Sequence, residues 1–296
     1  MNLTRRSWLL ASAAALSKAR AATGVAVRGY RIHATITLFS VPLLSRKDVG
    51  GGSIMVEQET AGATSRTALQ LVAGSYPERA HKLNRFGFIQ ELVEETAGNP
   101  PALSFFGFMT TSTEKSLDDA KKALARETGG GVAITAVEGK SRDGELECRL
   151  ARSRVPEACG WKECRKLLPA VRAFFGSGSV EKSKVAAARE TRTFLYTVRE
   201  AMMHAHGEFA APFVYQGKLY ELRCRKKAED GRPIKLSGTI EQTASRENAT
   251  FRIWFRPQEG GAPPVRIEFQ ARSFLRLVFE HDPAVLSGIL PRSLPA

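Results

Sequence analysis

The chain has 296 residues, with 44 Lys+Arg against 30 Asp+Glu, and therefore a formal charge of +14. Hydrophobic residues make up 43% and charged residues 25%, fractions that are typical of a folded protein and exclude a wholly disordered chain. No stretch reaches the roughly 20 apolar residues that a membrane-spanning helix needs, so no transmembrane span is expected. The length allows one large domain or two modest ones.

The N-terminus is typical of an export signal. Arg5 and Arg6 form a charged start, residues 8–16 are mostly apolar, and residues 19–21 supply the small side chains that a signal peptidase requires. The arginine pair and the Ser-Trp-Leu that follows it resemble the twin-arginine motif. The sequence predicts a signal peptide over 1–21, export by the twin-arginine machinery, and a soluble periplasmic or secreted protein. The alternative is a short helix that stays attached.

The chain has four cysteines: Cys148, Cys159, Cys164 and Cys224. An even number in an exported protein permits two disulfides. We expect a local Cys159–Cys164 bridge and a long Cys148–Cys224 bridge, with free buried thiols as the alternative. A zinc site is disfavoured because neither a CxxC pair nor an HxxxH spacing accompanies these cysteines.

The first part of the mature chain has the alternating pattern of β-strands. Residues 30–38 place apolar side chains on one face and polar side chains on the other, as a half-buried strand requires. Gly50-Gly51-Gly52 is expected to break the chain before the next strand. Further strands are predicted over 53–58, 66–72, 85–95 and 104–110; a short helix is the alternative for 85–95.

The middle of the chain has helical periodicity. Ser116 and the acids after it are typical of a helix start, which predicts a helix over 116–126. Asp143-Gly144 predicts a tight turn between strands over 132–138 and 145–151. Two longer helices are predicted over 161–175 and 184–204.

The last third is a series of short strands separated by polar turns, which favours an antiparallel sheet. The predicted strands cover 213–215, 219–225, 234–242, 250–256, 265–270 and 274–280. One side of these strands is apolar and needs cover, which the two longer helices would provide. The predicted fold class is α+β: a curved antiparallel β-sheet or open barrel with packed helices in the middle of the chain. A single β-rich domain is expected over 22–281, with a helical segment at about 156–204 and an irregular tail over 282–296.

A resemblance to a known family follows from four segments in this order: 217–223, 236–240, 251–255 and 264–269. Together they are similar to the end of a family of exported bacterial proteins, the domain of unknown function 3108. The resemblance is clearest over 205–280, and the helical region at 113–200 departs from it. It implies an antiparallel sheet protein of the cell envelope, similar to the open barrels that carry lipoproteins. The family has no assigned activity, so no catalytic residue is implied.

The common catalytic and cofactor motifs are missing from the sequence, which has no GxSxG, HExxH, P-loop or GxGxxG. His204-Ala205-His206 could present two imidazoles, but the pair ends a predicted helix and no acidic or cysteine partner is indicated. We therefore predict no catalytic residue, no cofactor and no metal. An undetected hydrolase remains an alternative.

Basic side chains recur on one side of the C-terminal strands, and guanidinium groups are suited to phosphate and carboxylate. They could bind an anionic envelope component, or they could form a solvated face that keeps the protein soluble. Nucleic acid fits the charge but not the export signal. We expect the protein to bind or carry an apolar or amphipathic envelope component; the alternative is a partner-binding module of an envelope assembly. The candidate anion-binding residues are Arg223, Arg225, Arg252, Trp254, Arg256, Arg266 and Arg276.

Overall fold

Fifteen strands form one sheet in the computed structural model, which describes residues 22–38, 41–80, 82–111, 131–142, 145–156, 158–177, 180–186, 192–205, 207–228, 232–245, 248–259 and 261–288. The strands are β1 (Ala22–Leu38), β2 (Val41–Ala61), β3 (Thr64–Ser75), β4 (Phe86–Thr96), β5 (Ala102–Thr110), β6 (Val132–Arg142), β7 (Glu145–Val155), β8 (Val180–Ala186), β9 (Arg192–Thr193), β10 (Glu208–Tyr215), β11 (Lys218–Lys227), β12 (Ile234–Gln242), β13 (Asn248–Phe255), β14 (Arg266–Arg272) and β15 (Leu275–His281). From one edge to the other, the strands run from β8 down to β1 and then from β15 down to β9. Every neighbouring pair is antiparallel except β9 and β10, which are parallel.

The predicted α+β class is wrong, because the described chain is mainly β-sheet with two short α-helices, α1 (Cys164–Ser177) and α2 (Phe194–Met203). The antiparallel sheet itself is confirmed. The described residues also form three 3-10 helices, at Trp161–Glu163, Pro257–Glu259 and Pro283–Gly288. No helix in the described residues is long and apolar enough to cross a membrane.

The predicted helix over 184–204 is too long at its start. Residues 180–186 instead form β8, which pairs with β7 in a regular antiparallel ladder. Helix α2 begins only at Phe194. The ladder pairs one edge of this segment's backbone with β7, and helix propensity is a weak preference that tertiary pairing overrides. The predicted helix over 116–126 lies outside the described residues.

Strand β2 continues through Gly50, Gly51 and Gly52, where the sequence predicts a break. The glycines are there for close packing. A Cβ added at Gly51 would lie 2.7 Å from both the Trp161 ring and the Tyr76 hydroxyl. Trp161 is 3% exposed, so the missing side chain at Gly51 makes room for a buried indole.

The sheet curls around α2. Tyr196 near the start of this helix packs in a buried cluster with Leu69 and Val93, while Ala201 and Met202 near its end pack with Leu222 and Ile253. The strand registers place these sheet residues on the same face, although the two groups lie far apart in the strand order. We call this the inner face and the opposite one the outer face.

Helix α1 packs on the outer face of the other half of the sheet. Val171 and Phe175 of α1, with Trp161 just before it, share a core with Phe86, Phe106 and Ile134. The sequence predicts both helices over the C-terminal strands, but only α2 lies there. The two helices thus cover opposite faces of the rolled sheet.

The two edges of the sheet overlap. Val214 of β10 and Leu219 of β11 pack against Phe105, Leu146 and Cys148 of β5 and β7. Strand β8 pairs only with β7, and β9 only with β10, so the described edge strands do not share a ladder. Among the residues that the structure describes, side-chain packing therefore joins the two edges of the roll.

Candidate functional site

The candidate residues on the C-terminal strands lie together on the outer face. Arg225 of β11 is opposite Ser237 of β12, and Ser237 is opposite Arg252 of β13. Trp254 of β13 is opposite Arg266 of β14. Arg223 lies on the same side of β11, Arg276 on the same side of β15, and Arg256 directly follows β13. We call these seven residues, Arg223, Arg225, Arg252, Trp254, Arg256, Arg266 and Arg276, the arginine face.

Glutamates neutralise much of this face. Arg223 bonds Glu221 at 2.9 Å and Arg225 bonds Glu208 at 3.0 Å. Further along the sheet the pairs are Arg252–Glu268 at 3.3 Å, Arg256–Glu259 at 3.4 Å, Arg266–Glu268 at 2.9 Å and Arg266–Glu280 at 2.8 Å. The sequence pattern indicates the arginines but not these acids, because most of the acids lie on neighbouring strands.

The outer face of the C-terminal strands, which includes the arginine face, has a positive net charge. On the outer face of β10–β15, seven basic side chains stand against five acidic ones. The basic set is Arg223, Arg225, Lys227, Lys235, Arg252, Arg266 and Arg276; the acidic set is Glu208, Glu221, Glu241, Glu268 and Glu280. Excess positive charge on a surface attracts anions over several ångströms.

The ion pairs of Arg223 and Arg225 on β11 are exposed to solvent. The Arg223 side chain is 64% exposed and that of Arg225 is 76% exposed. The hydrogen bond from Arg223 to Glu221 raises the pKa of this arginine, so it is charged at every physiological pH. Exposed ion pairs contribute about 0–1 kcal/mol, so a bound anion can replace the glutamate partner at little cost.

Trp254 contacts two cations. Lys235 Nζ lies 5.8 Å and Arg266 Cζ lies 5.4 Å from the centre of its ring system, which is cation–π geometry. The tryptophan thus holds two basic side chains in place on neighbouring strands.

A shallow groove of about 470 Å³ lies on this face beside Arg223 and Arg225. Ala210, Gly238 and the hydroxyl-bearing Ser237 and Thr239 line it. Small side chains on β10 and β12 thus leave space around two long guanidinium side chains. The groove is where a ligand could reach both arginines.

A buried carboxylate, that of Glu91, lies inside the roll. Glu91 of β4 is 1% exposed, and its carboxylate accepts the backbone N–H groups of Leu195 and Tyr196, each at 2.9 Å. Burial raises its pKa to about 7, against the opposing effect of these hydrogen bonds. Strand alternation could have revealed it, because Glu91 shares a face with Ile89 and Val93. Its contacts fix α2 to the sheet.

The cysteines and histidines form no second site in the described residues. Cys148, Cys159, Cys164 and Cys224 are free thiols here, and the two proposed bridges stay predictions. Burial raises the pKa of Cys148 to about 11 and that of Cys224 to about 11, so neither is a ready nucleophile. His204 ends α2, while His206 lies outside the described residues. Within the described ranges, no three His, Cys, Asp or Glu side chains are grouped to hold a metal ion.

Comparison with known proteins gives a likeness to solved structures and none to a known sequence. No family model and no curated protein matches the sequence, so the resemblance to the domain of unknown function 3108 is not confirmed. Among solved structures, the chain is similar to a β-barrel-like protein of the domain of unknown function DUF1849 from Brucella abortus. That match has 8% sequence identity and a TM-score of 0.44, and it covers 88% of this chain and 98% of the other.

Proposed function

We propose that this is an exported envelope protein that binds an anionic component through its arginine face. The observation that carries the proposal is that Arg223 and Arg225 lie side by side on β11, next to an open groove. Both side chains are more than 60% exposed. Guanidinium groups bind phosphate and carboxylate oxygens through two parallel hydrogen bonds. Because the existing glutamate pairs are exposed, an external anion needs little energy to displace them.

Vesicle binding tests this function. We expect the mature protein to float with vesicles that contain anionic phosphatidylglycerol and to stay unbound with neutral phosphatidylcholine. Binding should weaken steeply as salt rises, because exposed charges are screened beyond about 10 Å at 0.1 M ionic strength. A soluble acidic polysaccharide serves as a second anionic probe.

A matched pair of variants separates the face from overall charge. Arg223→Glu/Arg225→Glu should abolish the binding. Arg152→Glu/Arg154→Glu reverses two exposed arginines at the same spacing on β7 and should leave most of it. Equal losses in both variants would mean that only net charge matters and would contradict a role for the arginine face.

A second candidate function is the carrying of an apolar molecule inside the roll. Leu275, Leu277 and Phe279 of β15 lie on the inner face, are only half-buried, and belong to none of the buried clusters in the described residues. Native mass spectrometry of the purified protein would detect a co-purifying lipid. A spectrum that shows the lipid-free mass alone, even with added lipid, would exclude the carrier.

A further inference from the structure

The groove on the outer face of β10–β12 groups four hydrogen-bond donors from two neighbouring strands. Arg223 and Arg225 are two residues apart on β11, which separates their backbones by about 7 Å. Directly opposite on β12, Thr239 pairs with Arg223 and Ser237 pairs with Arg225. Ala210 of β10 lies opposite Arg223, and its small side chain leaves the outer surface beside these groups open. A ligand with several acceptor oxygens can therefore contact both guanidinium groups and a hydroxyl together.

The acids already present decide which anion fits. Glu208 bonds Arg225 and Glu221 bonds Arg223, so the protein supplies its own carboxylates to both arginines. A tethered group acts at an effective concentration in the millimolar range, and a free carboxylate offers the same single charge. A carboxylate ligand therefore competes poorly here.

A phosphomonoester has the advantage that a carboxylate lacks. It carries a charge of about −1.5 to −2 at pH 7 and three strong acceptor oxygens in a tetrahedral array. One such group can bridge Arg223 and Arg225 and still accept a hydrogen bond from Ser237 or Thr239. We propose that this groove binds a terminal phosphate group, either free or as a lipid head group. This inference rests on the proposed function.

Three proteins test the proposal: the wild type, Arg225→Gln and Glu208→Gln. Removing the arginine should weaken phosphate binding about tenfold. Removing the glutamate should strengthen it several-fold, because Arg225 loses its internal competitor. A gain in affinity cannot come from misfolding, so this variant keeps the test informative if Arg225→Gln is unstable. Glu94→Gln, which removes an exposed acid paired with Arg66 on the other half of the sheet, is the control and should bind as the wild type does.

The probes separate the ligand's chemistry from its source. Inorganic phosphate and glycerol phosphate are titrated by calorimetry, and vesicles of phosphatidic acid in phosphatidylcholine are compared with vesicles of phosphatidylglycerol at equal charge. Binding of the soluble probes assigns a free phosphate ligand; a preference for phosphatidic acid alone assigns a lipid head group. Either result supports the proposal.

Two outcomes would overturn it, and they differ. If both vesicle types bind equally, with no response to Glu208→Gln, the groove does not select phosphomonoesters, and the broader anion-binding function stands. If no anionic probe binds, the proposed function falls together with this inference.

Discussion

Glu91 and Tyr196 are 105 positions apart in sequence, yet the carboxylate of the first accepts the backbone N–H of the second at 2.9 Å. This contact joins the inner face of β4 to the first turn of α2. A second bond, from the Tyr196 hydroxyl to Glu95 at 2.6 Å, reinforces it. The helix inside the roll is therefore held by polar contacts at its start and by apolar packing at its end.

Stability should fall as the pH rises toward neutrality because of Glu91. Its pKa in the folded protein is about 7, above its ordinary value of 4.5, so the folded state binds the proton more tightly than the unfolded state. The resulting stabilisation is fully present below about pH 4.5 and is lost as pH rises through 7. The full difference is of order 3 kcal/mol.

Urea denaturation between pH 4.5 and 8 measures this effect. Glu91→Gln keeps an oxygen that accepts an amide N–H and removes the titration, so its stability should vary less over this range. Glu94→Gln, an exposed acid on the same strand, should follow the wild-type curve. A Glu91→Gln curve with the wild-type slope would contradict the assignment.

The packing of Trp161 on Gly51 predicts a strong effect of a single methyl group. Gly51→Ala places a carbon 2.7 Å from the indole and should lower the free energy of unfolding by about 1–3 kcal/mol. Gly24→Ala on β1 is the control, because nothing lies within 4 Å of the added carbon. Thermal unfolding of the two variants would show the difference; equal melting temperatures would argue against the tight contact.

Thiol labelling should distinguish Cys159 from the other cysteines. In the reduced, folded protein Cys159 is half-buried, whereas Cys148, Cys164 and Cys224 are buried. Burial raises the pKa of all four thiols, so access to the reagent decides which of them reacts. Mass spectrometry after brief alkylation should therefore show one modified site, and denaturation should expose the rest.

The same measurement on protein isolated from an oxidising compartment tests the two predicted bridges. Each disulfide lowers the mass by about 2 Da and blocks two alkylation sites. Four alkylated thiols after unfolding, without a reductant, would exclude both bridges.

Export is tested at the arginine pair. Arg5→Lys/Arg6→Lys preserves the charge of the N-terminus but removes the motif of the twin-arginine route. We expect this variant to stay uncleaved in the cytoplasm, while the wild type is cleaved after Ala21 or Ala22 and recovered outside. Export of both forms at the same rate would point to another route.

The strands are the part of the fold that sequence predicts best, because their alternation is local. Residues 30–38 and 104–110 lie within β1 and β5 as predicted. Strands β2 and β8 are harder to predict from the sequence. The glycines of β2 make room for Trp161, which is distant in sequence, and the strand conformation of β8 depends on its ladder with β7.

For the candidate site, the sequence indicates the basic positions but not their partners. The pairs of Arg225 with Glu208 and of Arg252 with Glu268 each join two strands, so they depend on sheet register. Register is fixed by the whole roll and has no local signature. Glu91 is a different case, because it shares one face of its strand with Ile89 and Val93, a local signal from which an inward-facing acid could have been predicted.

Val214 and Leu219 pack on Phe105 and Leu146 where the two edges of the sheet overlap, and we call this overlap the seam. The seam leaves the number of strands free to change during evolution. A barrel closed by a complete ladder must keep its strand number and shear matched. An overlapped seam carries no such constraint, so an edge strand can be gained, shortened or lost while the other ladders keep their pairing. Descendants of a common ancestor could thus differ in circumference and still enclose the same central helix.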